Sequence, residues 1–131
     1  MNDKLLDYLK NEIWFRAKPS SINGVGLFAI RDIPKGTNIL KEFDGEGKTL
    51  FSIRKDEMLD IHPNIIKLWK DYWQNNSVYQ EIYLPPNYKQ VQVYYINHAD
   101  NPSGQLVGTT LITNKDIKEG DEIFINYSET K

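Results

Sequence analysis

Cysteine is absent from this sequence of 131 residues, and so is any long apolar stretch. Without cysteine there can be no disulfide and no thiolate zinc cluster, so packing alone must hold the fold together. No segment approaches the roughly 20 apolar residues of a membrane-spanning helix. The N-terminal segment MNDKLLDYLKNEIW mixes charges with leucines and does not resemble a signal peptide. These absences predict a soluble, intracellular protein with no membrane partner.

The sequence also has little excess charge. Sixteen Lys and Arg residues oppose 18 Asp and Glu residues, which gives a formal net charge of −2. Proteins that bind nucleic acid usually carry a clear basic excess, so we predict no direct nucleic-acid partner. A mildly acidic chain is better suited to a basic peptide partner.

Aromatic residues are plentiful, with three Trp, eight Tyr and five Phe, and 40% of the chain is hydrophobic. Such a composition predicts a packed core, and aromatic rings can also line slots that bind flat or cationic groups. The length fits one domain, since domains commonly run to about 100–200 residues. We therefore predict a single domain over residues 1–131.

Periodic apolar residues predict two short helices. Leucine and isoleucine at steps of four predict a helix over residues 3–12. Pro63 suits the first position of a second helix, which Asn75-Asn76 would end. Short apolar or alternating stretches predict strands at residues 13–17, 26–31, 38–43, 79–84, 91–95, 106–112 and 122–126.

One internal similarity bears on the fold. RDIPKGTNI at residues 31–39 resembles KDIKEGDEI at residues 115–123, and each contains a tight turn around Asp-Ile-x-x-Gly between two strands. Two such corners predict short strands that change direction often, and these are too irregularly connected for βαβ units. The predicted fold class is mostly β with two or three short helices.

Three features could carry chemistry, although each alone has a simple structural explanation. Gly24-Val25-Gly26 could let a ligand approach the backbone or form an ordinary turn, and no third glycine opens a phosphate-binding helix. Asn97-His98 could serve as a base, a ligand or a structural hydrogen-bonding pair. With two histidines in the chain, a histidine metal site is disfavoured. Tyr127 matters chemically if a reactive group lies beside its hydroxyl.

Taken together, GVGLFAIRDIPKGT, YYINHADNPS and KEGDEIFINYSE resemble, in order, the three signature segments of the SET-domain lysine methyltransferases. The resemblance covers about residues 13–128. It implies a SET fold of small curved β-sheets with a knot-like C-terminal segment. Residues 13–47 would form its N-terminal part, 48–80 an insert region and 81–128 its C-terminal part.

The resemblance also implies S-adenosylmethionine as the methyl donor and a lysine of a protein or peptide as the acceptor. The family's cofactor contacts fall on Gly24, Val25, Gly26, Asn97 and His98. Its catalytic tyrosine falls on Tyr127, and its lysine channel resembles Tyr83, Tyr95 and Ile125. No metal is expected, because the family's cysteine-rich zinc-binding tail has no counterpart in this sequence.

Four positions modify the family pattern. Ala99 replaces the usual Ser, Ser103 replaces Asn and Asn126 replaces Asp, and each change could weaken cofactor binding. Ile125 stands where the family commonly has Phe or Tyr, and a Tyr there holds a water that limits methyl addition. The isoleucine therefore predicts room for di- or trimethylation.

Two other functions stay open. The altered Ala99 and Ser103 suggest a SET-like module that binds a peptide or cofactor without turnover. A structural or interaction protein would instead use the aromatic stripe of Trp69, Tyr72 and Trp73, most of which is better explained as core. The sequence does not name the substrate protein, so a nuclear location (with a histone substrate), a cytoplasmic location and a homodimer that closes the lysine channel are all open.

Overall fold

The structure is a computed structural model that describes residues 2–72 and 78–129. The chain forms two compact units, each built from two separate stretches. Unit 1 comprises Met1–Ile13 and Glu42–Tyr88, and unit 2 comprises Trp14–Lys41 and Lys89–Lys131. The predicted division at residues 13–47, 48–80 and 81–128 stays a prediction.

The described residues are mostly strands and loops, with short helices, as predicted. The strands are β1 (Phe15–Pro19), β2 (Val25–Ala29), β3 (Leu50–Arg54), β4 (Tyr79–Tyr83), β5 (Asn97–His98), β6 (Gly104–Val107), β7 (Thr110–Thr113) and β8 (Glu122–Ile125). The α-helices are α1 (Asn2–Asn11) and α2 (Pro63–Tyr72), and the 3₁₀ helices are Lys55–Met58, Gln90–Tyr95 and Tyr127–Glu129. Both predicted helices are confirmed in position, although the predicted stop at Asn75-Asn76 lies outside the described residues.

Unit 2 is organised around a four-stranded sheet in the order β1-β2-β8-β5. β1, β2 and β8 run antiparallel, whereas β5 joins β8 in parallel, with Asn97 opposite Phe124 and His98 opposite Ile125. This register sets the Asn-His pair beside the segment that leads to Tyr127. A second sheet is the hairpin of β6 and β7. The core of the unit is aliphatic and includes Leu27, Ile33, Ile39, Leu111 and Ile123.

The two similar corners of the sequence pair with each other in unit 2. Their isoleucines form an antiparallel bridge. The carboxylate of Asp116 accepts the backbone N–H of Lys35 at 2.8 Å, and the carboxylate of Asp32 accepts the N–H of Glu119, also at 2.8 Å. Each aspartate therefore caps the turn of the other corner, which explains why both copies keep the same Asp-Ile-x-x-Gly pattern.

Unit 1 contains α1, α2 and the two-stranded antiparallel sheet of β3 and β4. Trp69 is fully buried on α2, whereas Tyr72 on the same helix is 55% exposed. The aromatic stripe is thus at least partly core, as the spacing suggested. On α1 the Tyr8 ring lies 5.2 Å from the ring of Phe43, and burial raises the pKa of the Tyr8 hydroxyl above its ordinary value.

The predicted strand at 91–95 is wrong, because these residues belong to the 3₁₀ helix Gln90–Tyr95. Its i-to-i+3 hydrogen bonds include Gln92 N–H to Lys89 O and Ile96 N–H to Val93 O, both 3.1 Å. The alternation of Val and Tyr suits a strand only if a neighbouring strand pairs with it.

Two further strand predictions fail for local reasons. In residues 38–43 the Asn38 side chain accepts the N–H of Leu40 at 3.1 Å, which turns the backbone and leaves one isolated bridge to Ile112. The predicted strand 106–112 is a hairpin, because Gly108 adopts a φ of 60° and reverses the chain between β6 and β7. β3 was not predicted, although its alternately buried residues carry the period of a strand.

Candidate active site

The predicted cofactor and catalytic residues all lie in unit 2. Gly24 ends the turn between β1 and β2, and Val25 and Gly26 are the first two residues of β2. Asn97 and His98 form β5, and Asn126 alone separates Tyr127 from the end of β8. In the sheet, β8 lies between β2 and β5 and brings segments that are distant in sequence close together. Asn23 and Asn97, which are more than 70 residues apart, make contact here.

Asn97 is the centre of a buried polar network, since its side chain is 5% exposed. Its Nδ2 donates to Glu122 Oε2 at 2.7 Å and lies 3.2 Å from Ser20 Oγ. The same nitrogen lies 3.3 Å from the carbonyl oxygen of Asn23 and 3.4 Å from that of Val25. The amide of Asn97 therefore fastens the turn that precedes β2 to β5 and β8.

The carboxylate of Glu122 completes this network. Its Oε1 accepts the hydroxyl proton of Ser20 at 2.7 Å, and Ser20 Oγ accepts the N–H of Ile22 at 3.0 Å. A Cβ at Gly26 would collide with the Glu122 carboxylate and lie 3.1 Å from Asn97 Nδ2. Glu122 thus gives a packing reason for Gly26, whereas the sequence left open either the approach of a ligand or an ordinary turn.

Gly24 has different surroundings. Its φ is 46°, a left-handed conformation that favours glycine, and no described atom lies within 4 Å of the position of a Cβ. The neighbouring Val25 is 41% exposed. The backbone at Gly24 and Val25 is therefore accessible in unit 2.

His98 contacts Tyr127 directly. The Nδ1 of His98 accepts the backbone N–H of Tyr127 at 3.1 Å, and the two ring centroids lie 5.0 Å apart. Since Nδ1 is an acceptor, the ring proton of neutral His98 resides on Nε2, which lies 2.9 Å from Asp100 Oδ1. Asp100 thus favours the tautomer that holds the backbone of Tyr127.

The side chain of Tyr127 is also oriented. Its hydroxyl donates to the carbonyl oxygen of Ile96 at 2.8 Å, and the residue is 56% exposed. With its proton donated to a backbone carbonyl, the phenol oxygen presents lone pairs to any group that approaches from outside. The chain therefore fixes Tyr127 at two points, its amide and its hydroxyl.

The predicted lysine-channel residues are more scattered. Ile125 is buried in the core of unit 2 and pairs with His98 across the sheet, and Tyr95 is 48% exposed at the end of the 3₁₀ helix Gln90–Tyr95. Tyr83 is 44% exposed at the end of β4 and belongs to unit 1. A channel made by these three residues stays a prediction.

The three departures from the family pattern have local partners. The N–H of Ala99 donates to Ile125 O at 3.0 Å, so no side chain is needed for that contact. Ser103 Oγ accepts the N–H of Phe124 at 3.1 Å, and Asn126 Oδ1 accepts the N–H of Ser128 at 3.0 Å. Each altered residue therefore stabilises the segment around β8.

Three residues of the site were not identified from the sequence. Asp100 is two positions after His98, a spacing that could have marked it as the partner of the imidazole. Ser20 and Glu122 are 102 residues apart, and nothing in their spacing indicates that they meet.

The SET domain family model matches residues 24–128, which include every residue from Gly24 to Tyr127 described above. The chain belongs to the SET domain family. A crystal structure of a Plasmodium falciparum protein, provisionally described as a histone methyltransferase, is similar to this SET domain. It is 21% identical over 88% of this chain and 93% of its own, with a TM-score of 0.42. No curated protein shows significant sequence similarity to the chain.

Two further observations concern the described residues of the SET domain. No helix among residues 2–72 and 78–129 is long and apolar enough to cross a membrane. The same residues contain no group of three His, Asp or Glu side chains arranged to hold a metal ion.

Proposed function

We propose that this SET domain transfers a methyl group from S-adenosylmethionine to the ε-amine of a lysine in a protein substrate. Membership of the family supports the reaction class. The observation that carries the assignment to residues is the double fixation of Tyr127, by His98 at its amide and by Ile96 at its hydroxyl. Such fixation serves a group that must be held in one orientation during a reaction.

The residues at the site are suited to S-adenosylmethionine. The space beside Gly24 is open, and β5 is the last strand of its sheet among the described strands. An edge strand offers backbone N–H and C=O groups to other partners, which suits the base and the amino-acid part of this cofactor. The side-chain amide of Asn97 is engaged with the protein, so we assign cofactor binding to the backbone of Gly24, Val25, Asn97 and His98. When bound, S-adenosylmethionine supplies a methyl group carried on a positively charged sulfur.

The phenol of Tyr127 acts by orientation in this proposal. Its proton is donated to Ile96 O, so the lone pairs of its oxygen can accept weak C–H hydrogen bonds from an electropositive methyl group. These contacts would favour one in-line arrangement of nitrogen, carbon and sulfur, and alignment of this kind can contribute several kcal/mol. The mechanism needs no covalent intermediate with the protein.

The substrate lysine must lose its proton before it can attack. A free lysine has a pKa of about 10.4, and an apolar aromatic environment lowers that pKa because it disfavours the ammonium form. We propose that Tyr95 and Ile125, both of unit 2, contribute to this environment. Ile125 lacks a hydroxyl, so it holds no water against a growing methylamine, and we propose di- or trimethyllysine as the product.

Substrate class follows from charge. The chain has a formal net charge of −2, and Asp100 beside His98 is 98% exposed at its side chain. An exposed carboxylate near Tyr127 favours a substrate segment with basic residues around the target lysine. The substrate protein could be a histone or another lysine-rich protein.

The proposal is tested by a methylation assay with isotope-labelled S-adenosylmethionine on an array of lysine peptides with varied flanking charge. We expect label on lysine Nε, located by fragment mass spectrometry, with basic peptides preferred. Label on no peptide, together with no cofactor binding by calorimetry, would reject the proposal. Binding without transfer to any peptide or whole-protein substrate would favour a non-catalytic SET-like binding module.

A further inference from the structure

A groove of about 530 Å³ opens on unit 1. It is lined by residues from the 3₁₀ helix Lys55–Met58, from the loop that follows it, from α2 and from β4. The side chains of Met58 and Ile61 are each 3% exposed, whereas Leu59 is 81% exposed. An apolar surface with one prominent exposed leucine is therefore available for a partner.

Three lysines and no acidic residue line this groove: Lys55, Lys67 and Lys70. Lys67 and Lys70 lie one turn apart on α2, and both are exposed. Neither forms an ion pair with any residue that the structure describes. No direct ion pair with a described residue therefore neutralises these two lysines.

Of the carboxylates nearest in sequence, Glu57 and Asp71 do not line the groove, and two others are paired with cations. The guanidinium of Arg54 binds both oxygens of Asp56 at 3.2 Å. Asp60 Oδ2 lies 3.6 Å from the Nζ of Lys10 on α1. None of these four acids lines the groove, so the lining itself presents only positive charge, although the chain as a whole is acidic.

We propose that this groove binds an acidic segment of a partner protein, with one large apolar side chain against Leu59 and Met58 and carboxylates facing Lys67 and Lys70. Lys67 and Lys70 lie one turn apart on α2, next to the apolar surface of Met58 and Leu59, so they match carboxylates that flank an apolar side chain in a peptide better than a single phosphate group. The volume of the groove suits a few side chains. This interaction goes beyond methyl transfer and does not depend on it.

The test uses the full chain and a fluorescein-labelled probe peptide in which Asp and Glu residues flank a central Leu-Phe pair. Fluorescence anisotropy should show saturable binding that weakens as salt is added. Reversing both charges in a Lys67→Glu, Lys70→Glu variant should weaken binding about tenfold or more, because attraction becomes repulsion at two positions. Leu59→Ser should weaken it several-fold, because it removes apolar contact.

Lys118→Glu is the matched control, since Lys118 is an exposed lysine of unit 2 and its reversal should leave probe binding unchanged. All the substituted side chains are exposed, so the variants should fold, which circular dichroism verifies. Absence of probe binding, equal binding of a probe with Lys in place of Asp and Glu, or an unchanged affinity in the double variant would overturn the proposal. If phosphatidylglycerol vesicles bind the groove and the peptide does not, the peptide proposal is wrong and the groove binds a membrane surface instead.

Discussion

The backbone N–H of Tyr127 donates to Nδ1 of His98 over 3.1 Å, so the imidazole holds the backbone of the residue that we propose as catalytic. This contact depends on the tautomer that Asp100 supports from the opposite side of the ring. His98 is therefore a positioning residue for Tyr127 in our account. In the proposed mechanism its backbone, which lies on the edge strand β5, would also contact the cofactor, so His98 would act on both Tyr127 and the cofactor.

Replacing His98 with Ala removes the acceptor for the Tyr127 N–H, and we expect kcat to fall roughly tenfold through misorientation of the phenol. His98→Asn should recover part of the loss, because its Oδ1 can accept the same N–H. His62 provides a matched control, since its Nδ1 accepts the N–H of Asn64, also at 3.1 Å, but in unit 1. We expect His62→Ala to leave kcat unchanged. Equal kcat for all four proteins would refute the positioning role.

Glu122 should matter for the stability of the site. Glu122→Ala removes acceptors from Asn97 and Ser20, and leaving a part-buried amide without its best acceptor costs about 1–3 kcal/mol. Glu122→Gln should cost less, because Ser20 can reverse its hydroxyl and accept from the new amide. Urea unfolding measures both changes. Asp121→Ala, at the neighbouring exposed position, is the control. If it lowers the free energy of unfolding as much as Glu122→Ala does, the proposed role of the network is wrong.

Substitution of Gly26 and of Gly24 by Ala should destabilise the protein for different reasons. Gly26→Ala forces a Cβ into the Glu122 carboxylate and should cost about 1–3 kcal/mol of unfolding free energy. Gly24→Ala meets open space and should cost about 1–2 kcal/mol through its positive φ alone. Double-mutant cycles that combine each glycine variant with Glu122→Ala distinguish the two causes. Removal of the carboxylate should relieve part of the Gly26→Ala cost and none of the Gly24→Ala cost. Strict additivity in both cycles would show that the carboxylate is not the obstacle.

Product distribution is a separate prediction for the unmodified chain. With excess S-adenosylmethionine and a good lysine peptide, intact-mass spectrometry should show di- or trimethylated peptide, because Ile125 offers no hydroxyl to hold a water at the amine. A time course that stops at monomethyllysine while cofactor remains would contradict this reading of Ile125.

Much of the fold could be predicted because local periodicity and turn chemistry agree with the tertiary structure in α1, α2 and β2. The two Asp-Ile corners were also visible in the sequence, although their mutual capping through Asp32 and Asp116 was not. The segment 91–95 was misassigned because its alternation is compatible with a strand, and partner strands are decided by the whole chain. The hairpin of β6 and β7 was missed because the residues on both sides of Gly108 all favour strands: Leu106, Val107, Thr109, Thr110, Leu111 and Ile112.

The candidate site, like the fold, could be predicted only in part from the sequence. Tyr127, Asn97 and His98 were named through resemblance to a family pattern. The structure places Asn97 and His98 on the same sheet as Gly26, and Tyr127 follows the β8 strand of that sheet and contacts His98. Ser20 and Glu122 could not be found, because a hydrogen bond across 102 residues leaves no local signal. The sequence alone left open whether Gly26 admits a ligand or belongs to an ordinary turn, while the structure gives it a packing reason that depends on the distant carboxylate of Glu122.

The central claim is that the Tyr127 hydroxyl orients a methyl group for transfer to lysine. The most direct measurement compares single-turnover methyl transfer and S-adenosylmethionine affinity in the unmodified chain and in Tyr127→Phe. We predict that transfer falls by about a hundredfold or more while the dissociation constant of the cofactor stays within about twofold. Transfer at the unmodified rate by Tyr127→Phe would contradict the account.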